Sequence, residues 1–394
     1  MILAQVCPDV KPKFPRNQAD LPLFSVPEFS TNRPGNPLKP AINYATSGLC
    51  DNSDGLLLLD HIEKKERDYY LRREDEKALV DALEDYYYDH GQKKDAQRLK
   101  ECSEHLEFFV DNNGKKRLNK IWFCKHRFCP ICQPLKASKL VNNFGVNFPR
   151  IVSENKIKKP RIIFLTLTEK NFPVKNVRMW LDEVNKAFRK LSQTKDWPLS
   201  FLGTVRKYEF TQDKKGLCHA HVHMLLLVDA EKYYPGSPYY YTHDDFCRMW
   251  AKYRHLDYSP QVHVEYAKNN DKGDSDVLSA AKEALKYTIK PHELSKLAKS
   301  DDDFLAILTK QTQNKRLVNC TGLLKSVLKN IDDIDIDVEN EDDEYEPVGK
   351  VYASWNKKIK HYQMRTRKYG TYIEEYGYYS SWVTNKIYVE RLDL

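Results

Sequence analysis

The strongest constraint on the fold is a short run in which histidines alternate with small or apolar residues, Cys-His-Ala-His-Val-His-Met-Leu-Leu over positions 218–226. Side chains two positions apart on a β-strand lie on the same face. His219, His221 and His223 therefore share one face of the predicted strand. The other face is apolar and is formed by Ala220, Val222, Met224, Leu226 and Val228. The pattern predicts a β-strand that packs its apolar face under helices and presents three imidazoles on the opposite face.

These three imidazoles indicate a metal site. In a core, each would need its own hydrogen-bond partner, whereas one divalent ion satisfies two or three of them. A second predicted strand, 201–211, is joined to the histidine strand by a turn containing Asp-Lys-Lys-Gly. Glu209 on that strand is the leading acidic candidate to complete the ligand set, and His219 is the competing candidate. A metallo-β-lactamase type of site is disfavoured, because that pattern continues with Asp-His where this chain has Leu225-Leu226.

A helix predicted over residues 276–289 carries a second group of reactive side chains. Its buried stripe is Val277, Ala280, Ala281, Ala284, Leu285 and Thr288. Glu283, Tyr287 and Lys290 are spaced by four and then three residues, which places them on another face. A carboxylate, a phenol and an ammonium arranged in this way can supply a base, a nucleophile and a phosphate clamp. Taken alone, the same pattern also describes an ordinary charged helix surface.

The cysteines predict a second metal site. Cys124, Cys129 and Cys132 fall within nine positions, and the Cys-x2-Cys pair is typical of a zinc knuckle. Cys102 upstream can close a tetrahedral four-cysteine site, with His105 or His126 as alternatives for one ligand. Nearby Lys and Arg residues favour the thiolate form that zinc requires. The competing interpretation is a core turn that contains three reduced cysteines.

The distribution of charge indicates a nucleic-acid partner. The 394 residues carry a net charge of +8, but residues 331–346 hold ten acids and no Lys or Arg, which leaves +18 on the rest of the chain. Between residues 114 and 150 there are nine Lys or Arg and no Asp or Glu, a density suited to phosphate contacts. No apolar run is long enough to span a membrane, and the first residues lack the features of a secretory signal. We therefore expect a cytoplasmic protein with reduced cysteines.

The order of predicted elements indicates an α+β fold. Between residues 151 and 330 the order is β-α-β-β-α-β-α, and the tight turn between consecutive strands favours an antiparallel sheet with helices on one face. The predicted division is a Pro-rich arm, extended or disordered (1–59), a helical, Cys-rich, basic and zinc-binding region (60–150), a catalytic domain (151–330), an acidic linker (331–347) and an aromatic, basic C-terminal module (348–394). The last segment suits either a small DNA-binding module or a β-structured extension of the main domain.

Taken in this order, the motifs resemble those of the rolling-circle replication initiators, the Rep proteins of small bacterial plasmids, within the HUH endonuclease superfamily. The resemblance covers roughly half the chain. The matching motifs are Cys-x4-Cys-x2-Cys at 124–132, Phe-Leu-Thr-Leu-Thr at 164–168, His-x-His-x-His at 219–223 and Glu-x3-Tyr-x2-Lys at 283–290. It implies an antiparallel, RRM-like sheet with the histidines on a central strand and the tyrosine on a neighbouring helix.

The resemblance also implies roles for individual residues. His221 and His223 correspond to the two metal ligands of the superfamily, and Tyr287 to its single nucleophile. Lys290 corresponds to a DNA contact, and Glu283 to the carboxylate that activates water in termination. Mg²⁺ and Mn²⁺ both suit a mixed imidazole and carboxylate site, whereas Zn²⁺ is expected to have a structural role at the cysteines.

The expected function is that of a plasmid rolling-circle replication initiator. Such an enzyme nicks and rejoins single-stranded origin DNA through a 5′-phosphotyrosine and leaves a 3′-hydroxyl that primes synthesis. Its expected partners are origin DNA and the host helicase and DNA polymerase, without a membrane. Two alternatives stay open: a relaxase or single-strand transposase with the same chemistry, and a zinc-dependent DNA-binding regulator without catalysis.

Overall fold

A computed structural model of the chain describes residues 64–111, 116–266, 276–285, 288–328 and 347–364, together with short strand segments between 366 and 391. The predicted arm (1–59) and the acidic run (331–346) lie outside the described residues. So does Tyr287.

The described residues form helices and antiparallel strands, which confirms the α+β class. The helices are α1 (Lys64–Asp89), α2 (Lys93–Lys100), α3 (Cys132–Glu154), α4 (Val177–Ser192), α5 (Asp196–Ser200), α6 (His243–Arg254), α7 (Asp276–Leu285), α8 (Pro291–Leu297) and α9 (Phe304–Thr312). The strands are β1 (His105–Asp111), β2 (Lys116–Ile121), β3 (Pro160–Thr168), β4 (Gly203–Gln212), β5 (Cys218–Asp229), β6 (Gln261–Tyr266), β7 (Val318–Gly322), β8 (Pro347–Asn356) and β9 (His361–Met364). Shorter strands β10–β14 follow at Thr366–Arg367, Gly370–Glu374, Gly377–Ser381, Lys386–Ile387 and Glu390–Arg391. In this part of the chain, no helix is both long and apolar enough to cross a membrane.

The main sheet is antiparallel and has the strand order β6-β3-β5-β4-β7, so the histidine strand β5 lies at its centre. β4 and β5 form the predicted hairpin. In its turn, the Asp213 carboxylate accepts hydrogen bonds from the backbone N–H groups of Lys215 (2.8 Å) and Leu217 (2.9 Å). Gly216 there has a φ of +78°, a conformation that glycine adopts without the penalty that a Cβ brings. The turn fixes the register, which pairs Glu209 with His221.

Helices cover both faces of this sheet. The apolar face of β5 shares a core cluster with buried residues of α4 and α6, as the alternation predicts. On the histidine face, Leu225 and Leu227 pack with buried side chains of α3 and α7, such as Phe144 and Ala281. The expectation of helices on one face is therefore wrong. The physical reason is that Leu225 and Leu227 make the second face apolar beyond the histidines, so this half also needs a cover.

The helix predicted over 276–289 is shorter than expected, because α7 ends at Leu285 and Thr288 and Ile289 lie in a bend. The main chain there bonds to β4 instead, since the N–H of Phe210 donates to the carbonyl of Thr288 (2.9 Å). Pro291, the first residue of α8, also disfavours helical geometry at the residue before it.

A second sheet joins segments that are far apart in sequence. Its order is β14-β8-β1-β2, and β9 pairs with β8. The side chains of Phe108, Val351, Trp355 and Tyr362 pack in one apolar cluster within this sheet. Residues 347–364 thus form antiparallel structure with residues 105–111. The domain boundaries inferred from the sequence stay a prediction.

Candidate active site and cysteine cluster

The histidines of β5 are oriented by two threonines on the neighbouring strand. The register pairs Thr168 with His221 and Thr166 with His223. Nδ1 of His221 lies 2.8 Å from the Thr168 hydroxyl, and Nδ1 of His223 lies 3.0 Å from the Thr166 hydroxyl. With each Nδ1 engaged, Nε2 is the nitrogen available to a metal, which is the usual arrangement around protein-bound ions. Phe164 stacks on His223, with ring centroids 5.8 Å apart.

Glu209 faces these rings from β4, as the sequence predicts. Its Oε2 lies 2.7 Å from Nε2 of His223, and its Oε1 lies 3.3 Å from Nζ of Lys290. Burial alone would raise the pKa of the Glu209 carboxyl. The hydrogen bond and charge of His223, together with Lys290, outweigh burial and lower that pKa to about 2. Glu209 is therefore ionised at neutral pH, and its negative charge faces the Lys290 ammonium.

His221 and His219 have different surroundings. Burial, followed by the charges of His219 and His223, lowers the pKa of His221 to about 4, so its ring is neutral and able to bind a metal at neutral pH. His219 lies at the edge of the group, where its Nδ1 is within hydrogen-bond distance of the Asn171 side-chain oxygen. Its ring meets that of His221 edge to face, with centroids 4.3 Å apart.

The donor set of this site suits a divalent cation. It combines imidazole nitrogens with an ionised carboxylate, a mixture that does not select strongly between Mg²⁺ and Mn²⁺. His223 and Glu209 share a hydrogen bond in this structure. His221, His223 and Glu209 would hold the ion, and their chemistry fits it.

The chain segments on both sides of Tyr287 lie at this site. Before it, the carbonyl of Leu285 accepts a hydrogen bond from Nζ of Lys207 at 2.6 Å. After it, Thr288 is bonded to β4, and Lys290 reaches Glu209. Burial lowers the pKa of the Lys207 ammonium to about 7.

The other predicted catalytic residues are only partly placed. Glu283 is an exposed residue of α7, two residues before the end of that helix. Lys290 is half-exposed beside Glu209, so its ammonium is accessible from solvent. Tyr287, outside the described residues, stays a prediction.

The sequence interpretation assigned no role to Thr166, Thr168, Lys207 or Gln133. The only available signal was an alternating Thr-x-Thr in 164–168, which matches the alternation of the histidines. The hydroxyls of Thr166 and Thr168 contact the histidine rings only because β3 lies beside β5. Alternation within one strand does not specify which strand is its neighbour.

The four predicted cysteines form a compact buried cluster. Sγ of Cys102 lies 3.6 Å from Sγ of Cys129 and 3.7 Å from that of Cys132, and Cys124 and Cys132 are 3.8 Å apart. A tetrahedral ion with Zn–S bonds of about 2.3 Å requires sulfurs about 3.8 Å apart. Hydrogen bonds from Cys124 and then from the other two thiols hold the pKa of Cys102 well below its usual range. The cluster is compatible with structural zinc.

Neither alternative histidine belongs to this cluster. His105 is exposed, and its Nδ1 lies 3.0 Å from the Ser354 hydroxyl. His126 is buried inside the knuckle turn, where its Nδ1 lies 3.3 Å from the N–H of Phe128. Burial lowers the pKa of His126 to about 3, so this ring is neutral.

Comparison with known proteins then identifies the family. A family model described as "Replication protein" matches residues 115–363, which include both the histidine site and three of the four cysteines. The chain belongs to this family of replication proteins. The "Protein rep" of Lentilactobacillus hilgardii is 32% identical over 277 residues, covering 68% of this chain and 87% of the relative. The "Protein rep" of Bacillus amyloliquefaciens is 31% identical over 324 residues, which cover 76% of this chain and 93% of that relative.

A shorter relative also matches this chain. A "Replication protein" of Staphylococcus aureus is 30% identical over 233 residues, which cover 55% of this chain but 97% of the relative. That protein therefore lacks the counterpart of a large part of this chain. No solved structure matches the chain.

Proposed function

We propose that this replication protein initiates rolling-circle replication of a plasmid by nicking and rejoining single-stranded origin DNA. The observation that carries the proposal is the grouping of His221, His223, Glu209 and Lys290 beside the chain segment that contains Tyr287. An enzyme that transfers a phosphoryl group to its own tyrosine needs this set: a metal site, a counter-charge and a phenol. The antiparallel sheet with the histidines on its central strand supports an RRM-like HUH endonuclease fold.

The chemistry follows from these residue types. A divalent ion, when bound, supplies positive charge that polarises a non-bridging phosphate oxygen. His221 and His223 hold Nε2 toward it because Thr168 and Thr166 engage Nδ1. Lys290 adds a second positive charge for the phosphate. The Tyr287 oxygen attacks phosphorus, loses its proton and forms the Tyr–phosphate bond, while the bond from phosphorus to the 3′-oxygen breaks.

The products and the end of the cycle follow from the same step. The 3′-oxygen takes up a proton and becomes the primer hydroxyl, and the 5′ end stays on Tyr287. Glu283 then removes a proton from water or from a displaced hydroxyl, whose oxygen bonds phosphorus while the bond from phosphorus to the Tyr287 oxygen breaks, and the phenolate takes up a proton. The four cysteines hold a structural Zn²⁺, and the basic residues between 114 and 150 bind DNA phosphates. Host helicase and DNA polymerase extend the primer in the cytoplasm.

The test uses labelled single-stranded oligonucleotides that tile the origin. Wild type, Tyr287→Phe and the control Tyr234→Phe, which changes an exposed tyrosine elsewhere, are incubated with Mn²⁺ or with EDTA. We expect a Mn²⁺-dependent covalent protein–DNA adduct with wild type and Tyr234→Phe and none with Tyr287→Phe. Equal adduct from Tyr287→Phe would refute the nucleophile. Binding without an adduct on any tile would instead favour a non-catalytic regulator.

A further inference from the structure

Gln133 connects the cysteine cluster to the segment that contains Tyr287. It is the second residue of α3 and directly follows Cys132. Its side chain is buried, with 8% exposed. Its Oε1 accepts hydrogen bonds from the backbone N–H groups of Thr288 at 3.1 Å and Ile289 at 3.4 Å. These are the first two described residues after Tyr287, so one side chain holds the main chain there.

The same segment is held from the opposite side by β4. Lys207 donates from Nζ to the carbonyl of Leu285 at 2.6 Å, and the N–H of Phe210 donates to the carbonyl of Thr288 at 2.9 Å. The carbonyls at the end of a helix have no partner within that helix, so the Lys207 ammonium satisfies one of them. The main chain is thus fixed on both sides of Tyr287, by β4 and by Gln133.

The start of α3 depends on the cysteines. The first helical residue is Cys132, no side chain caps this helix end, and the N–H of Gln133 donates to the carbonyl of Cys129 at 3.0 Å. Both cysteines belong to the cluster. An ion bound there would fix the backbone on both sides of that hydrogen bond and, with it, the direction of the Gln133 side chain.

Stability alone does not explain a glutamine at this position. Its Nε2 is buried without a hydrogen-bond partner among the described residues. A buried donor left unpaired destabilises the fold, and an apolar side chain of similar length avoids this cost. An apolar side chain would, however, lack the acceptor Oε1 and its two hydrogen bonds to the N–H groups of Thr288 and Ile289.

We propose that Gln133 is a positioning residue for Tyr287, and that occupancy of the cysteine cluster by metal controls nicking through it. This inference rests on the proposed function. In-line attack requires the reacting atoms to be aligned, and a misplacement of about 1 Å can cost about 100-fold in rate. Loss of the ion frees the start of α3, releases the two N–H groups and lets the tyrosine segment move.

The first experiment compares Gln133→Met with Gln92→Met. Gln92 is a matched control because it is also buried and also bonds main chain, donating from Nε2 to the carbonyl of Ala306 at 2.9 Å. The readouts are the single-turnover rate of adduct formation at saturating oligonucleotide, the Kd for that oligonucleotide and the hydrogen exchange of residues 288–289. For Gln133→Met we expect a rate lower by about 100-fold, an unchanged Kd and faster exchange.

Gln92→Met should keep the wild-type rate and the wild-type exchange at residues 288–289. A wild-type rate in Gln133→Met would overturn the positioning role. If Gln133→Met does not fold, Gln133→Asn is measured in the same way, since it keeps the amide but is one methylene too short to reach both N–H groups.

The second experiment tests the connection to the cluster. Wild type stripped of zinc by a chelator, and Cys132→Ser, should both show faster exchange at residues 288–289 and slower adduct formation, and adding Zn²⁺ should reverse both effects in wild type. Slow exchange at these amides in the stripped protein would overturn the connection. If wild type forms no adduct, the proposed function fails, while the exchange data still decide whether Gln133 and the cluster hold this segment.

Discussion

Two hydroxyl groups determine which nitrogen of each histidine is available in the candidate site. Thr168 and Thr166 engage Nδ1 of His221 and His223, which leaves Nε2 as the nitrogen that the proposed ion would bind. Such contacts behind a metal ligand typically change metal affinity by about 10- to 100-fold. We expect Thr168→Val to weaken Mn²⁺ binding by at least about 10-fold, measured by calorimetry.

The matched control for that prediction is Thr204→Val. Thr204 is also buried in this sheet, where its hydroxyl lies 2.7 Å from that of Thr321, away from the histidines. Its loss should leave the Kd for Mn²⁺ unchanged. Equal Kd values for Thr168→Val and wild type would show that the hydroxyl does not orient His221.

The lowered pKa of Glu209 predicts a pH dependence of stability. The unfolded carboxyl titrates near 4.5 and the folded one near 2. Its stabilising effect is therefore complete above about pH 4.5 and is lost as the pH falls toward 2. In EDTA, wild type should lose more unfolding free energy than Glu209→Gln between pH 6 and pH 3.5, by on the order of 1–2 kcal/mol.

Urea titrations at the two pH values measure that difference. Glu154→Gln is the control, because Glu154 is exposed and lies 3.4 Å from Arg150 in a surface ion pair. Glu154→Gln should show the same pH dependence of the unfolding free energy as wild type. A Glu209→Gln protein with the same pH dependence as wild type would show that the ion pairs of Glu209 do not stabilise the fold.

Among the elements, β8 is attached to α1 by a buried hydrogen bond. Nε1 of Trp355 donates to the Asp81 carboxylate at 2.7 Å, and Lys77 lies 3.7 Å from the same carboxylate. Trp355→Phe leaves that acceptor unpaired on one side, which should cost about 1–3 kcal/mol of unfolding free energy. Trp122→Phe, at a position that is 61% exposed, should change stability by less than about 0.5 kcal/mol. Equal denaturant midpoints for the two variants would contradict this role of Trp355.

Local patterns predicted individual elements well. The strand predicted over 201–211 is β4 (Gly203–Gln212), and the histidine run of 218–226 lies in β5 (Cys218–Asp229). The histidine run carries its own signal, a period of two in which the histidines alternate with small or apolar residues. The turn sequence predicts the β4–β5 hairpin and makes Glu209 the leading acidic candidate at the histidine site, with His219 as the competing candidate.

Contacts between distant segments could not be predicted in this way. Pairing of β3 with β5 brings the threonines to the histidines, and pairing of β8 with β1 joins residues about 240 positions apart. Neither β3 nor β8 carries a sequence pattern that identifies the strand with which it pairs. The end of the predicted helix 276–289 was wrong for the same reason, because Thr288 bonds to β4 and to Gln133.

At the scale of the whole molecule, the strands β8 and β9 support Cys102, the first of the four clustered cysteines. The Tyr362 hydroxyl donates to the carbonyl of Ser103 at 2.6 Å, directly after Cys102. Tyr362 is buried and packs with Trp355 and Phe108, so the second sheet fixes the loop that brings Cys102 to the other three cysteines. Loss of these strands should therefore weaken zinc binding, although they contribute no ligand.

A chain that ends at residue 346 tests this dependence against one that ends at residue 364. The shorter chain lacks β8 and β9 and leaves the apolar side chains of β1 uncovered, whereas the longer chain keeps both strands. We expect the shorter chain to lose zinc to a chelator at a lower chelator concentration and to unfold at a lower temperature. The longer chain should resemble the full protein in both. Equal zinc retention in the two chains would mean that the four cysteines hold their ion without the second sheet, and that residues 347–364 serve another purpose.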